Sequence, residues 1–578
     1  MKKRLDVKPN KIIYPLSVAI IALFLFVAVA LKALQVNNFM AWDELGYWSN
    51  AAYLVGYDWS SVCSAFSGYY SYGYSLIIAV LFALFKEGPL AYQMAIVLNA
   101  VFLSLTFLLL IYSGNLITCN KRKWDVLCCA TIASFYSNNL CQSMNAWDEC
   151  ELLFVFTAIF AISISIDQQY SLGKMMMVSF LTVYLYIVHN RTMACIIALF
   201  IILIMAFLKR KITFHNFILL IGTIIVLLGG AYYLRNVIKN AVFVYKEGGV
   251  SGNSVSSVVS SHYMHFLNLP GQMDLLENFS NKFFYLGLMT YGSFFVLVIH
   301  YIRHVVMFIK GNEEMRIGMG FVALAVLGTF CTLTIALSNS HDYQSVFYGR
   351  YQDFLTCPLF MTGMLFLLEG FRNIFLPAFM IALIAGKAVA EAIPIYKDYF
   401  VINCNPTLFK YWVGTDQGGF NLALAVSTTI LVMLVLFAIT KISNLTARNI
   451  CLGILTVYIC FVSFNDYEHV YDSVFDDYLG LSEEMDEIRS ICNEEEKIYV
   501  WRDDEISVTQ RVAMWMQLEM ADHKVIVVND EQQIPDGSYI VYPRRKTGEN
   551  TYITNSVPLG TQITGDTYMA LYYLGDYE

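Results

Sequence analysis

Charged residues are scarce in this chain: they make up 14% of its 578 residues, whereas soluble domains usually carry about a quarter. Hydrophobic residues make up 57%. This balance excludes a soluble globular protein, a disordered chain and a nucleic-acid-binding protein with a basic surface. Proline is also rare, with 11 residues, so the chain contains no long proline-rich linker.

The 13 cysteines form neither a C-x-x-C pair nor a Cys/His cluster with the spacing of zinc ligands. Most of them lie within apolar runs, where cysteine acts as a small hydrophobic residue. The sequence therefore predicts neither a disulfide framework nor a structural zinc site.

The charge divides the chain into two parts. Residues 1–463 carry 29 Lys or Arg and 21 Asp or Glu, a net charge of +8. The 115 residues from Phe464 onward carry 8 Lys or Arg and 24 Asp or Glu, a net charge of −16. We therefore expect a transmembrane domain over residues 1–464 and an acidic soluble domain over residues 465–578.

The apolar runs predict a polytopic α-helical membrane protein with about 13 transmembrane helices. Every short basic cluster then falls on one side, which the positive-inside rule makes cytoplasmic. The predicted crossings are Ile12–Leu34, Leu90–Ile117, Trp124–Leu140, Glu151–Ile166, Met175–Val188, Thr192–Leu208, Phe217–Leu234, Phe283–Ile309, Ile317–Leu337, Phe354–Leu368, Ile374–Ala390, Leu422–Ile439 and Ile450–Phe464.

This threading predicts an integral multi-pass protein of a plasma or inner membrane. The N-terminus is expected in the cytoplasm, and the acidic C-terminal domain outside it. The apolar run Tyr74–Phe85 is too short to cross comfortably, so we expect an interfacial or re-entrant helix there.

The acidic tail has the alternating pattern of a small α/β domain. It contains no glycine-rich phosphate loop, which favours a scaffold or partner-binding lid over a catalytic domain. The predicted elements are helices at Ser482–Asn493 and Ser507–Met520 and strands at Lys497–Trp501, Lys524–Val528 and Ser538–Tyr542.

Two predicted outer loops share the sequence Ala-Trp-Asp-Glu, at Ala41–Glu44 and Ala146–Glu149. Carboxylates beside helix ends in a bilayer are costly unless they are solvated or used by the protein. The alternative is a set of solvated loop acids flanked by interfacial tryptophans. The candidate catalytic residues are Asp43, Glu44, Asp148, Glu149 and Glu151.

Arginines lie on the same predicted side, where the positive-inside rule expects few. Arg191 lies in a short turn between two apolar helices, Arg235 ends a helix, and Arg350 precedes Tyr351 in a late loop. A guanidinium group binds phosphate oxygens at two points, so the three arginines, with Tyr351 beside Arg350, are candidates for binding a phosphate. The alternative is an ion pair with a nearby acid, or a snorkelling side chain.

The order of these features resembles the integral membrane glycosyltransferases of the GT-C type. The resemblance covers residues 1–370 and is strongest to the group containing protein O-mannosyltransferases and the aminoarabinose transferase of lipid A. It implies a sugar donor on a polyprenyl phosphate or diphosphate. Asp43 matches the catalytic acid of the first loop, with Glu44 beside it, and Glu151 matches a second acid, with Asp148 and Glu149 as competitors.

The resemblance also places Arg191 and Arg350 near the donor phosphate. It implies a glycosyltransferase that acts on a glycan, lipid or protein acceptor outside the cytoplasm and contacts membrane lipids. One direct displacement would invert the anomeric centre, and a double displacement through an acid nucleophile is the less favoured alternative. No cofactor is required by the sequence, although Asp43 and Asp148 could hold Mg²⁺ or Mn²⁺. The alternatives are a transporter or flippase of a lipid-linked glycan and an inactive membrane scaffold.

Overall fold

The computed structural model describes thirteen segments of the chain and consists mostly of helices. The described residues are 12–68, 70–243, 267–311, 314–336, 349–369, 422–475, 479–492, 497–502, 506–529, 533–547, 550–553, 561–564 and 569–574.

The helices of these segments differ widely in length. They are α1 (Ile13–Ala33), α2 (Glu44–Val55), α3 (Ser60–Phe66), α4 (Gly73–Phe85), α5 (Gly88–Ile117), α6 (Lys123–Ser134), α7 (Ser137–Gln142), α8 (Glu149–Gln168), α9 (Leu172–Val188), α10 (Met193–Leu208), α11 (Phe214–Val242), α12 (Leu269–Met289), α13 (Ser293–Ile309), α14 (Ile317–Ala336), α15 (Arg350–Asp353), α16 (Thr356–Leu368), α17 (Leu422–Lys441), α18 (Leu445–Phe475), α19 (Leu479–Cys492) and α20 (Ile506–Glu519).

Apolar helices make the chain an integral membrane protein, as the sequence predicts. Within the described residues, seven helices are long and apolar enough to cross a bilayer, and α12 with α13 forms a bent eighth candidate. Four further apolar helices are shorter. Leu23, Val226 and Val457 show why the outer surface suits lipid, since their side chains are 62%, 73% and 70% exposed. The predicted crossing Ile374–Ala390 lies outside the described residues, so the total of 13 stays a prediction.

The prediction of one continuous helix over Phe283–Ile309 is wrong. The structure has two helices there, α12 and α13, which meet at an angle of 117°. The break is a glycine helix stop: Gly292 adopts φ +75°, and its N–H donates to the Gly287 carbonyl at 2.7 Å. A side chain at Gly292 would lie 2.1 Å from the sulfur of Met433.

The predicted crossing Trp124–Leu140 is also interrupted. Helix α6 ends at Ser134 and α7 begins at Ser137. Serine side chains compete with the backbone for hydrogen bonds and therefore favour helix ends. The break brings Tyr136 and Asn138 to the site described below.

Segments predicted to share the cytoplasmic side contact one another at one end of the molecule. Asp125 binds the guanidinium groups of Arg122 at 2.7 Å and Arg448 at 2.8 Å. Arg122 also reaches Glu369 at 3.2 Å. These contacts join the starts of α6 and α18 to the end of α16, as the predicted threading requires.

The C-terminal domain is a small α/β unit, and every helix and strand predicted in it is present. The domain boundary predicted after Phe464 falls inside a helix, because α18 continues to Phe475. The prediction lacked the last three strands. The strands are β1 (Lys497–Trp501), β2 (Lys524–Val528), β3 (Ser538–Thr547), β4 (Asn550–Ile553), β5 (Thr561–Thr564) and β6 (Met569–Leu574).

The sheet has the strand order β2-β1-β3-β6-β5, with β4 paired to β3. Strand β1 runs parallel to β2 and β3, and β6 runs antiparallel to β3 and β5. The crossover from β1 to β2 is helix α20, as parallel neighbours require.

Helix α20 packs against the loop that follows α1. The Trp515 indole N–H donates to the Phe39 carbonyl at 2.9 Å. The Trp59 indole N–H donates to the Ala521 carbonyl at 2.8 Å. The acidic domain and the first loop therefore lie on the same side of the molecule.

Candidate active site

Arg350 is the centre of a buried charged cluster. Its Nη1 lies 2.5 Å from Asp43 Oδ2, and its Nε lies 2.6 Å from Glu149 Oε1. The guanidinium carbon lies 3.7 Å from the centre of the Trp147 ring, within the range of a cation–π contact. Arg350 is only 1% exposed. Both Ala-Trp-Asp-Glu loops and the late Gly-Arg-Tyr segment therefore meet at one side chain.

Arg191 supplies a second guanidinium group to the same cluster. Its Nη1 donates to Glu149 Oε1 at 3.0 Å, and its Nη2 pairs with Glu149 Oε2. The rings of Tyr351 and Phe354 lie 5.4 Å and 5.7 Å from the Arg191 guanidinium carbon. Glu149 thus bridges two arginines, and aromatic rings enclose the pair.

Asp43 forms the opening of the cluster toward solvent, because its side chain is 34% exposed. The Tyr70 hydroxyl donates to Asp43 Oδ1 at 2.6 Å. Burial favours the protonated form, but the Arg350 charge and the Tyr70 hydrogen bond outweigh it and lower the pKa of Asp43. Asp43 is therefore an ionised carboxylate that faces both an arginine and water.

Glu44 joins the two Ala-Trp-Asp-Glu loops. Its Oε2 accepts from the backbone N–H groups of Met40 at 2.8 Å and Ala41 at 2.6 Å. Its Oε1 accepts from the Tyr92 hydroxyl at 2.7 Å and the Ala146 N–H at 2.5 Å. Burial raises the pKa of Glu44 to about 7 despite these bonds. Glu44 therefore fixes the two loops to each other and lies behind Asp43.

Asp148 and Glu151 lie deeper than Glu149. Neither oxygen of Asp148 makes a hydrogen bond of normal geometry with the described residues, and Tyr47 is its neighbouring hydroxyl. Burial, and then the Glu149 charge, raise the pKa of Asp148 to about 7. The Tyr184 hydroxyl donates to Glu151 Oε1. These two acids lie behind the arginines instead of facing the opening.

Asp353 is a fully buried acid of the site that the sequence analysis did not single out. It accepts hydrogen bonds from the hydroxyls of Tyr136 at 3.2 Å and Tyr285 at 3.3 Å, and from the Asn138 amide. Burial raises its pKa to about 7. Asp353 follows Arg350 by three residues, so both lie in the single turn α15. This spacing could have indicated that Asp353 belongs to the same site as Arg350.

The two remaining predicted residues differ in position, since Tyr351 belongs to the cluster and Arg235 does not. Tyr351 contacts Arg191, as described above, whereas Arg235 lies on α11, where its charge acts on Tyr72. Most of the late loop before Gly349 lies outside the described residues. Five of the nine predicted site residues therefore meet in one cluster: Asp43, Glu149, Arg191, Arg350 and Tyr351.

The acids do not converge as a set of metal ligands in the described part of the chain, where no group of three His, Cys, Asp or Glu side chains could hold an ion. Asp43 uses one oxygen for Tyr70 and the other for Arg350. The arrangement is that of two guanidinium groups compensated by two carboxylates. Such a pair of guanidinium groups can bind a phosphate in place of a carboxylate.

The sequence matches no known protein family and no curated protein. Two solved structures resemble the chain, both of ArnT from Cupriavidus metallidurans. The complex with undecaprenyl phosphate is 10% identical, covers 92% of each chain and has a TM-score of 0.46. The apo state is 11% identical, covers 91% of this chain and 92% of that chain, and has a TM-score of 0.45. ArnT belongs to the group that the sequence resembles; likeness at this level concerns the course of the backbone alone.

Proposed function

We propose that this chain is a glycosyltransferase that moves a sugar from a polyprenyl-phosphate-type lipid donor to an acceptor hydroxyl outside the cytoplasm. The observation that carries this proposal is the single cluster in which Arg350 joins Asp43 to Glu149. The cluster lies where the two predicted outer loops meet apolar helices. The phosphate of a donor with a long apolar tail would lie at the same level.

The two arginines would hold the donor phosphate. Arg350 and Arg191 present their planar forks to Glu149 and Asp43 in this structure. A donor phosphate brings the same charge and geometry, so it would compete with these carboxylates for the forks. In transfer, the phosphate oxygen gains charge as it leaves, and the buried guanidinium groups would stabilise that charge.

Asp43 would serve as the base. When phosphate binds Arg350, the Asp43 carboxylate loses its partner and turns to the acceptor. The acceptor oxygen attacks the anomeric carbon and its proton passes to Asp43, while the bond between that carbon and the phosphate oxygen breaks. The lipid phosphate leaves with the electron pair of that bond. One displacement of this kind inverts the anomeric centre.

The proposed orientation places the cluster outside the cytoplasm. Helix α20 contacts the first loop, so the acidic domain is expected on the same side as Asp43. The basic end that contains Arg122 and Arg448 would then face the cytoplasm, in line with the positive-inside rule. Accessibility labelling of single cysteines placed at exposed Trp42 and Lys310 tests this orientation in intact cells.

A transporter or flippase of a lipid-linked glycan is the second candidate. The observation that favours it is the bend of 117° between α12 and α13, since interrupted helices are common in transporters. The two functions differ in their products: a transferase cleaves the sugar from its lipid, and a flippase leaves the donor intact.

The decisive experiment incubates the purified full chain in lipid nanodiscs with a panel of polyprenyl-phosphate sugars and a mixture of acceptor glycans, lipids and peptides. We expect sugar-dependent release of polyprenyl phosphate, and its loss in Asp43→Asn with folding intact. An intact donor throughout the panel contradicts the proposal. A parallel assay with chelator tests whether a divalent metal that Asp43 or Asp148 could hold takes part in transfer, and full activity there would exclude such a metal.

A further inference from the structure

A cavity of about 470 Å³ lies toward the end of α2, where the C-terminal domain meets the rest of the molecule. Three parts of the chain that are distant in sequence form its walls. They are α2 with the turn into α3, from Ser49 to Ser60, the end of α11 at Ala241 and Val242, and Lys524 at the start of β2. Its volume lies in the range of small-molecule sites.

Contacts across this cavity join the C-terminal domain to the turn between α2 and α3. The Val527 backbone N–H donates to Ser61 Oγ at 3.1 Å. The Lys524 ammonium group pairs with Asp58 Oδ2, and Trp59 donates to the C-terminal domain as described above. These contacts fix the two parts of the wall relative to each other.

The lining of the cavity combines aromatic rings, hydroxyl groups and one pair of opposite charges. Its aromatic residues are Tyr53, Tyr57 and Trp59. Among the described lining residues Asp58 is the one acid and Lys524 the one base, and the two are paired, so the lining has no net charge. An anion would have to displace Asp58, and a lipid chain would leave the polar groups without partners. The lining therefore fits a neutral ligand with hydroxyl groups and apolar faces, which is the chemistry of a carbohydrate.

Two side chains of the lining can form hydrogen bonds to such a ligand. Asp58 Oδ1 accepts from the Ser60 N–H at 3.1 Å and from the Ser60 hydroxyl at 2.6 Å. A carboxylate has about four acceptor positions, and the Asp58 side chain is 49% exposed. Ser49 is 1% exposed, and its hydroxyl, beside the Cys63 thiol, makes no hydrogen bond of normal geometry with the described residues.

The face of α2 that lines the cavity leads to Asp43. Tyr53 follows Ser49 by four residues and Gly46 precedes it by three, so the three residues share one face of the helix. Gly46 lies against the Tyr70 ring, whose hydroxyl donates to Asp43. Along the helix axis, Ser49 is about 9 Å and Tyr53 about 15 Å from Asp43. A chain of a few sugar units covers this distance.

We propose that this cavity binds the acceptor of the transfer reaction and that the acceptor is a neutral oligosaccharide. The aromatic side chains contact the apolar faces of its sugar units, and Asp58 and Ser49 form hydrogen bonds with its hydroxyl groups. A terminal hydroxyl then lies at Asp43, which takes its proton in the transfer step described above. This inference rests on the proposed function, because it assigns the acceptor of the same reaction. It gives the C-terminal domain the role of one wall of the acceptor site.

The first test measures binding of free tetrasaccharides to the purified full chain by native mass spectrometry, without any donor. The probes are neutral tetrasaccharides of mannose, glucose, galactose and N-acetylglucosamine, with a tetrasaccharide of galacturonic acid as the charged comparison. We expect a neutral tetrasaccharide to bind, and Tyr53→Ala to weaken its binding about three- to tenfold, the effect of one aromatic contact. Tyr53→Phe retains the ring and should bind as the wild type does.

The matched control is Tyr170→Ala. Tyr170 is 37% exposed and Tyr53 is 38% exposed, but Tyr170 lines a separate cavity beside Asp167 and Arg316. Tyr170→Ala should therefore bind the tetrasaccharide with unchanged affinity. A loss equal to that of Tyr53→Ala would contradict the assignment of the ligand to the cavity beside α2.

Asp58→Asn separates a role in ligand selection from a structural one. The substitution removes the carboxylate charge and gives the described lining a net positive charge. We expect binding of the neutral tetrasaccharide to weaken about tenfold, the effect of one hydrogen bond to a charged group, and binding of the galacturonic acid tetrasaccharide to become stronger. Weaker binding of both ligands together with a lower unfolding temperature would contradict a role of Asp58 in selecting a neutral ligand.

The outcomes distinguish this inference from the proposed function. If no neutral tetrasaccharide binds, or if Tyr53→Ala binds it as the wild type does, the acceptor cavity is wrong, while release of polyprenyl phosphate from a donor would still uphold the proposed function. If the tetrasaccharide binds as expected but no donor is cleaved, the proposed function is overturned and the cavity stands as a carbohydrate site. If both hold, Tyr53→Ala should raise the KM for the tetrasaccharide about three- to tenfold and leave kcat unchanged. A fall of kcat with an unchanged KM would contradict a binding role of Tyr53.

Discussion

Replacing Arg350 with lysine tests the geometry of the cluster while it preserves the charge. Arginine contacts Asp43, Glu149 and the Trp147 ring at once, because its planar fork has several donors. An ammonium group is compact, so lysine can keep one carboxylate contact but loses the second one and the stacking on Trp147. The positive charge, and with it the general electrostatics of the site, remains.

The expected magnitude follows from the lost contacts. A hydrogen bond to a charged group contributes about 1.5–3 kcal/mol, and a cation–π contact about 0.5–2 kcal/mol. If both act in the transition state, their sum of about 2–5 kcal/mol corresponds to a 30- to 4,000-fold loss of kcat/KM. The assay is release of polyprenyl phosphate in nanodiscs.

The control is Arg303→Lys, at an exposed position of α13, which should match the wild type. If Arg350→Lys stays within threefold of the wild type and unfolds at the same temperature, the planar fork has no role in transfer. The reasoning would then be refuted at its central residue.

Three further variants test the packing around the cluster. Gly46→Ala places a methyl group 2.1 Å from the Tyr70 ring, so the hydrogen bond to Asp43 and most transfer should be lost, whereas Gly222→Ala, in open space, should be neutral. Gly349→Ala places a methyl group 1.7 Å from the Tyr285 hydroxyl, so it should lower both the unfolding temperature and the activity. A stable and active Gly349→Ala variant would contradict the close approach of Gly349 to Tyr285. Burial raises the pKa of Asp353 to about 7, so between about pH 4 and 7 the folded chain holds a proton there that the unfolded chain releases. The free energy of unfolding therefore falls as the pH rises through this range. Asp353→Asn should flatten the fall of the unfolding temperature over that range, and an unchanged profile would exclude the residue as its source.

Sequence patterns predicted the convergence of the loop acids and arginines for a physical reason. Charged groups in a chain with few charges must lie at helix ends or in a shared polar site. Threading by basic clusters assigned Asp43, Glu149, Arg191 and Arg350 to one side, and the structure joins them. Two helices and three strands of the acidic tail were predictable because strand and helix periodicities differ, whereas the last three strands were not predicted.

The roles of neighbouring acids could not be predicted in the same way. Asp43 and Glu44 are adjacent, yet one reaches solvent and the other is enclosed by four hydrogen bonds. The difference depends on where Tyr92 and Ala146 lie in space, which no local pattern encodes. The break that places Tyr285 beside Asp353 was missed because the apolar run continues through Gly292 and hides the helix stop.

The most direct measurement is a double-mutant cycle on Asp43 and Arg350, which are 307 residues apart in the chain but 2.5 Å apart at their closest atoms. The turnover of Asp43→Asn, Arg350→Gln and the double variant gives the coupling between the two side chains. A shared site predicts strong non-additivity, of about 0.5–3 kcal/mol. Losses that simply add would show that the carboxylate and the guanidinium group act independently, and would contradict a common donor site.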